Sequence, residues 1–131
     1  MATPAQVQIW IGLDVGKEFH HAVVLDDAGD VFADRRVANS ETDLVKILDT
    51  ASEHGVAGLV IDQPGSIAQL ALALARQRDV PVAYIPGLVM RRAADLYPGD
   101  AKTDRRDAYV IADTARTPVS YTHLTLPTNR E

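Results

Sequence analysis

The run Val7-Gln-Ile-Trp-Ile-Gly-Leu-Asp-Val-Gly16 alternates and then turns almost continuously apolar. So short a run, stopped at Gly16, predicts a strand buried on at least one face. A buried strand needs partners on its edges and cover on its faces, and the following residues supply both. His20–Leu25 and Val31–Val37 read as two more strands. The hairpin turn Asp26-Asp27-Ala28-Gly29-Asp30 joins them, giving a three-strand meander.

After the meander the period changes. Ser40 with Asp43 resembles a capping box with the shorter acid. Leu44, Val45, Ile47, Leu48 and Ala51 then recur at helical spacing to about Glu53, with Gly55 as the expected C-cap. Ala57–Asp62 reads as a fourth strand, broken by Gln63-Pro64-Gly65. Ser66 opens a helix to about Arg78, with Ile67, Leu70, Ala71 and Leu74 on one face. Val80–Ile85 reads as a fifth strand. Further helical stretches are expected near Leu88–Leu96 and over Asp104–Arg116. The order βββαβαβα(α) predicts an α/β fold, a mixed sheet with helices on both faces. The ribonuclease H-like fold and the actin-like ATPase half-domain share this order, so the string alone does not choose between them.

At 131 residues the chain has room for one domain, and 47% hydrophobic with 24% charged residues is a globular composition. The absence of cysteine excludes disulfides and thiolate sites. No apolar run approaches the roughly 20 residues of a membrane span, and Met1–Gln6 lacks the pattern of a secretory signal. The expected compartment is the cytoplasm. A net charge of −5 argues against autonomous binding to nucleic-acid phosphates, yet leaves room for an acidic metal site acting on them. The expected domain is 1–116. Residues 117–131 carry four threonines and two prolines but no alanine. They read as a disordered or non-native tail, and the chain as the front piece of something longer.

Four carboxylates stand out. Asp14 ends the first strand and Asp62 the fourth, and neighbouring strands would bring both to the carboxyl edge, where open α/β sheets place ligands. Either one alone also reads as a turn or capping residue. In the last helix, about 100° per residue places Asp104 and Asp107 on the side of the apolar stripe formed by Ala108, Ile111, Ala112 and Ala115. Arg105, Arg106, Tyr109 and Asp113 should point away. Acids on an inward face need neutralising, by the helix N-terminus or by a cation. An all-carboxylate set suits Mg²⁺ or Mn²⁺. Arg91, Arg92, Lys102, Arg105 and Arg106 cluster around these acids and would suit phosphate or a solvated surface equally. His20 and His21 are adjacent strand residues on opposite faces and cannot share an ion. Lys17 is expected at the surface, and Trp10 in the core.

Ile11-Gly-Leu-Asp14-Val-Gly-Lys17, Asp62 after its short strand, and Lys102-Thr-Asp104-Arg-Arg-Asp107-Ala108 together closely resemble the DEDD transposases. These are RuvC-like recombinases of the IS one-ten family of insertion sequences, related to the Piv invertases. The resemblance runs from about Ile9 to Arg116. It implies a ribonuclease H-like domain whose Asp14, Asp62, Asp104 and Asp107 hold two Mg²⁺ or Mn²⁺ ions. It also implies metal-dependent DNA strand cleavage and exchange by a homo-oligomer guided by a structured RNA. Two features depart from the family. The second acid is normally Glu followed by a Thr-Gly turn, whereas here it is Asp62-Gln63-Pro64-Gly65. The family's serine-bearing second domain has no counterpart, and Ser120 in the tail is not assigned its role. An actin-like sugar kinase or ATPase half-domain, or an inactive piece that only binds partners, is the alternative. The kinase reading predicts Gly- and Thr-rich phosphate turns that are missing between Gly16 and Asp62.

Overall fold

The computed structural model describes residues 6–62, 65–85 and 104–116. The expected helix at 88–96 and the tail lie outside them. Strand β1 (Ile9–Asp14) is flanked by β2 (Phe19–Asp26), antiparallel to it, and by β4 (Ala57–Ile61), parallel to it. β3 (Val31–Ala38) pairs antiparallel with β2, and β5 (Val82–Tyr84) parallel with β4. The sheet order is β3-β2-β1-β4-β5. The meander folds as expected, and the two crossovers carry the chain back to parallel strands.

The hairpin turn closes through the Asp26 side chain. Its Oδ1 accepts the Ala28 and Asp30 N–H groups at 2.9 Å, and Gly29 adopts φ +90°. Helix α1 (Glu41–Ser52) starts at Ser40, whose Oγ accepts the Asp43 N–H at 3.4 Å. The returning arm of the capping box lands differently: Asp43 Oδ2 accepts from the N–H of Ala38, not from that of the cap residue. The acid thereby ties the helix start to the end of β3. The helix ends on Glu53 in right-handed geometry, so Gly55 is not its cap. Gly55 instead takes φ +154° in the turn to β4.

Ser66–Ala68 forms a turn of 3₁₀ helix before α2 (Gln69–Gln77). That tighter turn shifts the phase of the helix. Ala68, Ala71, Leu72, Leu74 and Ala75 are buried, while Ile67, expected inside, is exposed. α1 and α2 cover one face of the sheet, over Ile9, Ile11, Leu13, Leu59 and Ile61. Helix α3 (Asp104–Arg116) covers the other, packing Ala108, Ile111, Ala112 and Ala115 on Trp10, Val23, Leu25 and Val60.

One flank of α3 contradicts its helical phase. Asp113, expected to point to solvent, is buried. Arg116 Nε donates to its Oδ1 at 2.9 Å, and Arg116 Nη1 donates to the Asp27 carbonyl at 3.0 Å. The β2–β3 turn therefore folds over the end of the helix and roofs a face that the sequence pattern leaves open.

Candidate active site at the carboxyl edge of the sheet

Alternation along β1 sends Ile9, Ile11 and Leu13 into the core beneath α1 and α2, and so sends Trp10, Gly12 and Asp14 toward α3. On β4 the same rule separates Leu59 and Ile61 from Val60, and the next alternate position is Asp62. Leu13 is level with Ile61 in the parallel ladder. Asp14 and Asp62, each one residue further, leave neighbouring strands at the same edge and on the same face.

Gly12 allows α3 to reach that edge. A Cβ at this position would collide with the Ala108 carbonyl oxygen and stand 2.7 Å from Ala112 N and 2.8 Å from its Cβ. The helix backbone thus lies directly on β1, two residues before Asp14. This close approach brings Asp107, the residue before Ala108, to the acids of the sheet. A glycine inside an otherwise apolar strand is the sequence signal for such a contact, though sequence reasoning passed over it.

Asp14, Asp62 and Asp107 are all half-buried. Burial pushes the Asp62 carboxyl above its ordinary range. Its own backbone N–H opposes this, and the nearby Asp107 carboxylate adds to it. Asp62 Oδ1 is buried and has no hydrogen-bond partner among the described residues. Asp104 is the first residue of α3, three positions before Asp107. Its side chain lies outside the described residues, as do those of Arg91, Arg92, Lys102, Arg105 and Arg106. No three His, Asp or Glu side chains among the described residues come together as a group that could hold a metal ion. Of the four expected acids, Asp62 and Asp107 are close enough to interact, and Asp14 leaves β1 at the same edge of the sheet.

The loop after Asp14 is pinned from behind. Gly16 N–H donates to His20 Nδ1 at 3.0 Å, which leaves Nε2 to carry the proton toward Asn39 Oδ1 at 3.1 Å. Burial pulls the His20 imidazole below its ordinary range, an effect partly offset by Asn39. His21 faces the other side, 2.7 Å from Asp34 Oδ1. The two histidines diverge as expected, but the supporting role of His20 and Asn39 has no signal in the sequence.

A sequence profile of DEDD-type IS110 proteins, described as Transposase, matches residues 11–130, a range that includes residues of the tail. The chain belongs to the IS110-type DEDD transposase family. Among relatives of this transposase-family chain is a 43.6 kDa protein of insertion element IS110 from Streptomyces coelicolor. It is 51% identical over 112 residues, which are 85% of this chain and 28% of the relative. A protein of insertion element IS116 from Streptomyces clavuligerus is 38% identical over 83% of this chain and 27% of its own length. One of IS900 from Mycobacterium paratuberculosis is 36% identical over 82% and 28%. The chain thus spans little more than a quarter of these relatives. Its fold is that of RuvC, a ribonuclease H-like fold. RuvC from Thermus thermophilus, solved in complex with a Holliday junction substrate, superposes with a TM-score of 0.59 at 13% identity, over 80% of this chain and 90% of that one. A second Thermus thermophilus RuvC structure gives the same TM-score at 12% identity. The strand order fits two folds, and the superposition on RuvC selects the ribonuclease H-like one.

Proposed function

We propose that this domain is the metal-dependent DNA-cleaving part of a transposase, with Asp14, Asp62, Asp104 and Asp107 holding two Mg²⁺ or Mn²⁺ ions. The observation that carries the reading is the buried Asp62 Oδ1, without a hydrogen-bond partner among the described residues and near the Asp107 carboxylate. A carboxylate oxygen withdrawn from water, with a second acid next to it, is costly unless a cation satisfies both. The donors are all oxygens, which suits hard divalent ions. Such ions, when bound, activate a nucleophile and stabilise the leaving oxygen on a phosphodiester.

The chain's own contribution is placement. β1 carries Asp14 and the chain leaving β4 carries Asp62, Gly12 lets α3 bring in Asp107, and His20 with Asn39 fixes the loop after Asp14. Asp62 is one methylene shorter than the Glu usual in the family, so its reach to a metal has to come from where the backbone leaves β4. Strand exchange belongs to a longer protein with a serine-bearing domain, working as a homo-oligomer with a guide RNA. In this reading the domain ends at 116, the tail is not part of the catalytic unit, and the 131-residue chain alone is inactive. A DNA substrate implies the cytoplasm.

Mn²⁺ binding by the chain, followed by calorimetry or paramagnetic relaxation of water, tests the site. The double variant Asp104→Asn with Asp107→Asn is expected to abolish binding, and Asp62→Glu to preserve or tighten it. Unchanged Mn²⁺ binding in the double variant would refute the assignment.

A further inference from the structure

Asp14 pairs with His21 across β1 and β2, and His21 pairs with Arg36 across β2 and β3. These residues form one row on one face of the sheet. With strands about 4.8 Å apart, the backbone of Arg36 stands about 10 Å from that of Asp14. The Arg36 guanidinium lies 4.5 Å from the centre of the Phe19 ring, on the same face. Phe19 is 46% exposed, so the core does not account for an aromatic ring here. Arg36 is also exposed and makes no ion pair with any described residue.

A guanidinium stacked on a ring keeps its N–H donors in its own plane, free for a phosphate. An exposed ring next to such a cation is the arrangement by which proteins hold unpaired nucleotides, base on the ring and phosphate on the cation. At about 3.4 Å per stacked nucleotide, 10 Å is within about three nucleotides of a phosphate lying on the acids.

We propose that Phe19 and Arg36 form a nucleotide subsite that holds an unpaired base of the DNA strand leaving the acid edge, with Arg36 on its phosphate. This rests on the reading of the acids as a site for DNA cleavage. Bases inside a duplex hide their faces, so the subsite selects single-stranded or splayed DNA. It supplies locally the phosphate attraction that a chain of net charge −5 lacks as a whole.

The test is fluorescence anisotropy of a labelled 12-nucleotide DNA strand with the full chain in Ca²⁺, beside its blunt duplex and an RNA strand of the same sequence. Phe19→Ala should weaken single-strand binding about tenfold, the equivalent of about 1.4 kcal/mol and within the range of one base stack. Phe19→Trp should retain binding, which a merely structural role for the ring would not predict. Arg36→Ala should lower the slope of log affinity against log salt by about one. The duplex should bind more weakly than the single strand. Binding of Phe19→Ala within twofold of the unchanged chain, equal binding of duplex and single strand, a tenfold preference for RNA, or no binding at all would each overturn the proposal. Asp14→Asn separates the two readings. If it leaves Mn²⁺ binding intact while the Phe19 effect persists, the acid-site reading fails and the subsite stands. If it removes Mn²⁺ binding while Phe19→Ala has no effect, the subsite alone fails.

Discussion

Burial raises the pKa of Asp62 at the end of β4, the Asp107 carboxylate carried by α3 adds to it, and the two acids meet because the helix lies against Gly12. Neither has a compensating cation among the described residues. This pair links the stability of the fold to the state of the site.

Stability against pH follows from Asp62. Its folded pKa lies above its ordinary value of 3.8, so between those two values the folded chain binds more protons than the unfolded one. Stability at this group is therefore greatest at low pH and falls as pH rises through the folded pKa. Asp62→Asn should melt higher than the unchanged chain at pH 7 in chelator, with the difference shrinking toward pH 4. Mn²⁺ should raise the melting temperature of the unchanged chain and not that of the variant. Thermal scans across pH with and without Mn²⁺ measure both effects.

Gly12→Ala should cost about 3 kcal/mol in chemical denaturation, at the upper end for overpacking, because the added methyl meets backbone rather than a movable side chain. Mn²⁺ affinity should fall with it, since lifting α3 carries Asp107 away from Asp62. A variant that keeps both stability and affinity would show that the helix does not need this contact.

The buried His20 accepts the Gly16 N–H while neutral, and its folded pKa lies below 6.5. The unfolded chain takes up this proton first as pH falls. Stability contributed by His20 is thus complete above about pH 6.5 and is lost progressively as pH falls toward the folded pKa. The difference in melting temperature between the unchanged chain and His20→Gln should narrow from pH 7.5 to pH 5.5. A difference constant with pH would mean that His20 does not titrate on unfolding.

Arg116→Ala removes the ion-pair partner on the next turn of α3 from the buried Asp113, and with it the bond to the Asp27 carbonyl. Removing one member of a buried ion pair costs about 3 kcal/mol. Arg116→Ala with Asp113→Ala should recover part of that loss, because no charge then remains in the gap. Urea denaturation of the single and double variants decides it.

Much of this protein is set by local pattern. The alternation in Val7–Gly16, the turn residues 26–30 and the helical spacing after Ser40 each determine an element without reference to the rest of the chain, because period and turn chemistry act over a few residues. The motif around Asp14, Asp62 and Asp104–Asp107 carried the family resemblance in the same way. Other features come from contacts between residues far apart in sequence, which only tertiary structure decides. Asp113 is polar by helical phase and buried by a hairpin turn about 90 positions away, through Arg116 and Asp27. Gly12 is an ordinary small residue until α3 lies on it. His20 and Asn39 become a brace only when β2 and the end of β3 lie side by side. Phe19 and Arg36 meet because the β2–β3 register places them diagonally on one face. Burial and electrostatics depend on distance in space, and distance in space between such residues is set by packing, not by their spacing along the chain.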